Sequence, residues 1–376
     1  MHAGALLAAL ALVAAPAGAQ EPSQQARIWK GTLGDAAITA CFDPAEDGRN
    51  VYYRDAALET VRLEARDAPT PLVFTEASGA EEDTGAVWTL QPPAGETMTG
   101  EWRKGDAVLP VRLTALAVKA PEYGSICEEA DFLEPLLAGG TYSSTAKVLG
   151  GMAYTELAYA GPQRSGLSDY NFRTFAIAPA SLEDEAINAA LGAVLPDGSL
   201  AHAMGQCAAP MLANAGVPGY IDEALTPMLI TQRWVALRRS GSSYCGGAHP
   251  NEITAFEVHD RKSGGEADTT RWFRPGALVF YDFEPQPGQF RPIKGLSAAL
   301  TEAVMARWPE GARDPECLEA ARSEWGWEIG LTAEGPVFVP IFPHVFAACT
   351  EEVTLPWKVA RPFLSAEGRA VMTGLR

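Results

Sequence analysis

Ser243-Tyr-Cys-Gly-Gly-Ala-His-Pro-Asn251 reads as a sharp loop between two strands. An apolar run, Met228 to Leu237, precedes it, and an alternating run, Ile253 to Val258, follows it. Gly246 and Gly247 permit backbone angles that other residues avoid, so the chain can reverse there. Two more reversals of this kind lie downstream: Lys262-Ser-Gly-Gly265, and Glu334-Gly335 ahead of Val337-Phe-Val-Pro-Ile341. Helical signals are interspersed. Ser181 with Asp184 three places on is a capping start, and Ile187, Leu191 and Leu195 repeat behind it. Leu296, Leu300, Val304 and Trp308 form a second stripe, and Asp314-Pro315 is a cap followed by a first-turn proline. Tyr154–Tyr159 and Tyr170–Ile177 fit strands. Strands and helices mix without strict βαβ alternation, so residues 142–376 are expected to be an α+β domain.

The chain before that is different. Ile28–Gly34, Ala37–Phe42, Asn50–Tyr53, Val61–Glu64, Val87–Leu90, Met98–Trp102 and Val108–Leu116 are short alternating runs. Turn residues break them at Glu46-Asp-Gly-Arg49, Ser78-Gly79 and Pro92-Pro-Ala-Gly95. Regular short strands with no helical period predict an antiparallel β domain over residues 28–120, a sandwich or a small barrel. Residues 121–141 are expected to link the two domains, with Cys127 tying the linker back.

Residues 1–19 read as a signal peptide. They hold no Lys, Arg, Asp or Glu, have an apolar core from Leu6 to Ala15, and end on Ala17-Gly18-Ala19. Cleavage near Ala19 would leave residues 20–27 as a flexible leader and send the protein to the periplasm or the medium. The six cysteines fit that address. Near-neighbour pairing gives Cys41–Cys127, Cys207–Cys245 and Cys317–Cys349, with free thiols or metal ligation as the alternatives. No Cys-x2-Cys spacing supports zinc. The formal net charge of −18 argues against nucleic acid and anionic membrane, and is compatible with a basic partner.

Three segments carry a family resemblance: Tyr244–Asn251 running into Ala255–Gly264, Leu331–His344, and Glu352–Trp357 leading to Pro362–Gly368. Together they resemble a bacterial extracytoplasmic domain of unknown function. That domain is the outer part of a lysozyme-sensing anti-sigma factor and an accessory region of peptidoglycan deacetylases. The first half looks like a small β domain of exported bacterial proteins, on Trp29–Thr39 and Val51–Asp55. The resemblance implies recognition in the cell envelope, of lysozyme or peptidoglycan, and not catalysis. The deacetylase activity belongs to a separate domain whose metal-binding motifs have no counterpart in this chain.

Residue chemistry narrows the candidates. Gly246, Gly247, His249 and Asn251 make the loop a ligand-contact candidate. Trp325 and Trp327, flanking Gly326 between Glu324 and Glu328, could stack on a sugar, or else cap the core. The competing enzymatic reading is a cell-wall hydrolase in which His249 acts as a base oriented by Asp260, with Cys245 as a conceivable nucleophile. A histidine that only braces its turn satisfies the same pattern. His202, His249, His259 and His344 show no metal-binding spacing, so neither metal nor cofactor is expected.

Overall fold

A computed structural model describes residues 26–43, 49–66, 71–78, 82–119, 121–164, 166–215, 219–283, 285–286, 289–323 and 325–375. The expected signal peptide, and the leader up to residue 25, lie outside the described residues; Arg27 already belongs to the first strand.

The N-terminal half is an antiparallel barrel. Its strands are β1 (Arg27–Leu33), β2 (Ala36–Asp43), β3 (Arg49–Arg54), β4 (Thr60–Ala65), β5 (Leu72–Ser78), β6 (Glu82–Leu90), β7 (Thr97–Lys104) and β8 (Ala107–Ala115). Each pairs with the next, and β8 closes on β1, with Trp29 opposite Ala115. The expected sandwich-or-barrel domain is therefore a barrel. Period-two alternation sends Trp29, Ile38, Tyr52 and Trp88 inward, where they fill the lumen. The intervening Ile28, Cys41, Val51 and Tyr53 point outward, yet they too are buried. They are covered by the next segment of the chain.

That segment is residues 121–141. It carries a 3-10 turn, Ile126–Glu128, and helix α1 (Ala130–Leu137). Ser125 Oγ donates to buried Asp43 at 2.7 Å, Cys127 bonds Cys41, and Arg49 pairs with Glu128. Phe132 and Leu136 of α1 pack on the outer barrel wall, in a cluster that also holds Phe172 and Leu212 from the second half. One apolar core thus joins the two halves.

The second half contains two sheets. The first has strands β9 (Thr141–Leu149), β10 (Met152–Ala160), β11 (Tyr170–Ile177), β12 (Tyr220–Ile230), β13 (Trp234–Tyr244), β14 (Asn251–Asp260) and β15 (Gly265–Glu266). Their order is β15-β14-β13-β12-β11-β10-β9, antiparallel except for β11 with β12. Helices α2 (Leu182–Gly192) and α3 (Ala203–Asn214) form the crossover that a parallel pair requires. Ser181 caps α2 as the sequence predicts, accepting from the Asp184 N–H. Asp184 is itself buried and holds Arg261 through two 2.7 Å bonds, which locks α2 to the Lys262–Gly265 turn.

The second sheet is antiparallel, β16 (Leu278–Phe280), β17 (Ile293–Leu296), β18 (Trp327–Leu331), β19 (Pro336–Pro340) and β20 (Val353–Thr354), in that order. Helices α4 (Ala298–Met305), α5 (Pro315–Arg322), α6 (Trp357–Ala360) and α7 (Ala366–Gly374) accompany it. Asp314 caps α5 as expected. The stripe expected from Leu296 is shorter: Leu300 and Val304 lie on α4, but Leu296 closes β17. Trp272, Trp308, Trp327 and Phe338 build the largest core, against Trp234, Ala236 and Val258 of the seven-stranded sheet. The whole is α+β.

The three disulfides are Cys41–Cys127, Cys207–Cys245 and Cys317–Cys349, with Cα separations of 5.5, 4.8 and 5.2 Å. They are the near-neighbour pairs that the sequence reading gave, and such bonds persist in oxidising compartments. Among the described residues no helix is long and apolar enough to cross a membrane.

Candidate functional site

The β13–β14 hairpin ends where Ser243 pairs with Asn251, and residues 245–250 form its loop. Gly246 and Gly247 adopt φ of +94° and +103°, the left-handed region that only glycine enters freely. Every residue from Cys245 to Ile253 is exposed. Exposure does not leave the loop loose. Cys245 is bonded to Cys207 of α3, and the Tyr244 hydroxyl donates to the Gly247 carbonyl at 3.1 Å. His249 Nδ1 lies 2.9 Å from the Pro250 carbonyl, which requires the proton on Nδ1. Its ring also stacks on His344, with centroids 4.3 Å apart and planes 9° apart. His344 starts a 3-10 turn that ends at Cys349, and Cys349 is bonded to Cys317 of α5. Two loops, each anchored by its own disulfide, therefore meet ring on ring.

Beside the loop, a groove of about 370 Å³ runs between α3 and strands β12–β14. Its lining includes Gln206, Ile221, Glu223, Arg239, Ser242 and Ile253. Glu223 is buried and accepts from Arg239 Nε at 2.6 Å. Ser242 Oγ is 3.0 Å from the Tyr220 hydroxyl. The groove thus offers a neutralised ion pair, hydroxyl and amide groups, and two apolar walls.

Several sequence candidates fall elsewhere. Asp260 lies at the far end of β14 from the loop, about 30 Å away at strand rise. It pairs with Arg233 at 2.9 Å and accepts from the Lys262 N–H in the turn. It cannot orient His249, and Cys245 is spent in its disulfide, so neither suggested partner of a His249 base is in place. No described carboxylate hydrogen-bonds the His249 ring. Trp327 is 3% exposed and packs on Phe338, so it is a core residue rather than a ligand platform. Trp325 is 47% exposed, and its carbonyl accepts from the Tyr281 hydroxyl. Gly326 between them is at φ +134°, and with one ring in the core and the other half exposed the two do not form a joint exposed platform. Glu324 lies outside the described residues. His202 caps α3 through Nδ1.

A second polar cluster was not anticipated. His259 is buried, and neither ring nitrogen has a hydrogen bond among the described residues. Glu257 Oε2 stands 3.4 Å from its Nε2, an ion-pair distance without hydrogen-bond alignment. The imidazole beside it holds the Glu257 carboxyl below its usual range. Glu266, opposite His259 in the sheet, is pushed up by burial and by Glu257. Glu328 of β18 is pushed up to about 7, chiefly by burial and then by Glu266. The Glu257-x-His259 spacing, which sets both side chains on one face of β14, is the sequence signal that could have found it. Among the described residues no group of three or more His, Cys, Asp or Glu has a metal-binding arrangement.

No family model matches the chain, and no curated protein matches it. Two solved structures are similar to part of it. One is a member of the DUF3298 family from Bacteroides fragilis, 13% identical, with 63% of this chain and 96% of that chain covered and a TM-score of 0.39. The other is a DUF3298 family protein from Pseudomonas aeruginosa, 13% identical, with 60% and 94% covered and a TM-score of 0.34.

Proposed function

We propose that this chain is a non-catalytic recognition protein of the bacterial cell envelope, periplasmic or secreted, which captures a basic protein of the lysozyme class. The carrying observation is the exposed loop at residues 245–250, fixed by a disulfide, by the Tyr244 hydroxyl and by the His249–His344 stack. A contact loop that is already ordered loses little entropy on binding. In this reading Gly246, Gly247, His249 and Asn251 meet the partner, and the groove under them receives one of its side chains. The net charge of −18 steers a cationic partner and raises its rate of encounter. Peptidoglycan is the second ligand class, favoured by the exposed ring of Trp325, which offers a face to a sugar.

The test is a pull-down of the oxidised chain from residue 20 to 376 with hen lysozyme and with insoluble peptidoglycan, at low and physiological salt. Saturable lysozyme binding that survives physiological salt, and weakens in His249→Ala and Asn251→Ala, is expected. Binding confined to low salt is non-specific attraction and sinks the proposal. Retention on peptidoglycan alone selects the other ligand class.

A further inference from the structure

Strand β9 forms one edge of the seven-stranded sheet and, among the described residues, pairs with β10 alone. A free strand edge presents unpaired N–H and C=O groups, and proteins guard such edges with short length, proline, bulges or charge. β9 is long, has no proline, pairs with β10 without a bulge, and carries a single charge, Lys147. Every residue from Thr141 to Val148 is exposed. Two of them are large and apolar, Tyr142 at 57% and Val148 at 69% exposure. Alternation puts both on the same face of the strand. They also stand symmetrically about Thr145.

That symmetry identifies an occupant. A second β9 laid antiparallel, with Thr145 opposite Thr145, sets Tyr142 against Val148 twice. Ser143 then faces Lys147, and Ser144 faces Ala146. No like charges meet in this register, and the residues flanking the two-fold axis are small. We propose that two copies of the chain associate edge to edge through β9 in this register, merging two seven-stranded sheets into one. Such a contact is isologous and closed, so it stops at a dimer. One strand pair buries less than a standard interface of about 800 Å² per partner, so the dimer is weak, with Kd on the order of tens to hundreds of micromolar. The pairing uses the edge remote in sheet order from β14, and it stands or falls independently of the ligand reading.

Sedimentation of the oxidised chain from residue 20 to 376, across that concentration range, tests the association. A reversible monomer–dimer equilibrium is expected. Thr145→Lys places two lysines opposite each other at a site exposed in the monomer. It should raise Kd at least tenfold and leave the far-ultraviolet spectrum unchanged. Thr145→Cys reads the register, because only the residue on the axis faces itself. It should cross-link the dimer on mild oxidation, whereas Ser143→Cys should not. A chain that stays monomeric throughout, a dimer indifferent to Thr145→Lys, or equal cross-linking by the two cysteine variants would each overturn the proposal.

Discussion

The barrel holds Glu76 buried and the second half holds Glu328 half-buried, and the two carboxylates are treated in opposite ways. Inside the barrel, Glu76 accepts from the Tyr52 hydroxyl at 2.7 Å, Trp88 Nε1 at 2.8 Å, Trp102 Nε1 at 2.6 Å and Thr84 Oγ1 at 3.0 Å. The β5–β6 register shifts at this residue, an irregularity of the kind that re-aims a side chain. At the β18 end of the molecule, Glu328 has no hydrogen-bond donor among the described residues, and its electrostatic neighbour is another carboxylate, Glu266. The same contrast holds for the backbone: the barrel closes on itself, while the seven-stranded sheet leaves β9 open. The barrel's polar groups are consumed in holding its shape. The second half keeps an open strand edge and, at His259, a buried ring without a hydrogen bond among the described residues.

The sharpest break of this comparison is Glu76→Ala. It strands two indole N–H groups and two hydroxyls in a filled lumen and leaves a void. The expected loss is about 4 kcal/mol of unfolding free energy, measured by urea denaturation followed by tryptophan fluorescence. Glu76→Gln keeps one carbonyl acceptor and should lose roughly half as much. A cost below about 1 kcal/mol for the alanine variant would mean that the barrel core organises itself without the carboxylate.

Glu328 gives the opposite response and a smaller one. Its carboxyl titrates near 4.5 when unfolded and about 7 when folded, so between those values the native state holds the extra proton. The resulting stability is fully present below about pH 4.5, is lost as pH rises toward 7, and then levels off. At most about 3 kcal/mol is involved, and solvent reaching the site reduces it. Glu328→Gln mimics the protonated form and should gain on the parent as pH climbs from 5 to 8. The difference between the two stability curves isolates Glu328 from Glu257 and Asp184, whose lowered values act at more acidic pH. Parallel curves for parent and variant would remove Glu328 from the contrast.

These two residues also mark what a sequence conceals. Seven barrel strands follow from alternation, but β5 does not, because Glu76 occupies a core position and breaks the apolar pattern of Leu72–Ser78. Helices α1 and α3 carry Pro135 and Pro210 inside them, which reads as interruption, and the apolar contacts of α3 are spread over small residues such as Ala208 and Ala213. The β13–β14 loop, the capped starts of α2 and α5, and the three disulfides are written in local signals and near-neighbour spacing. The groove ion pair Glu223–Arg239 joins the neighbouring strands β12 and β13 across their pairing, whereas Glu328 reaches Glu266 from a strand distant along the chain, which only the fold brings together. For Trp325 and Trp327 the sequence left sugar stacking and core capping open, and burial separates the two: Trp327 joins the core and Trp325 stays half exposed.

The His249–His344 stack is the finest point of the contrast, because it lies on the surface and costs the fold little to lose. His249→Ala and His344→Ala should each change global stability by under about 0.5 kcal/mol, as exposed substitutions do. Their effect is expected in the loop. The hairpin end is already held by Cys207–Cys245 and by the Tyr244 hydroxyl, so the stack constrains the tip beyond those anchors. Amide exchange at residues 247–249 should therefore accelerate in either single variant, and the double variant should add little. A double-mutant cycle on local opening free energies should give a coupling of about 0.5–1 kcal/mol, the size of an aromatic pair. Zero coupling would show that the disulfide alone shapes the loop. A coupling well above that range would mean that the two tethered loops move as one unit, so that a partner touching only the His344 turn would also order residues 245–250.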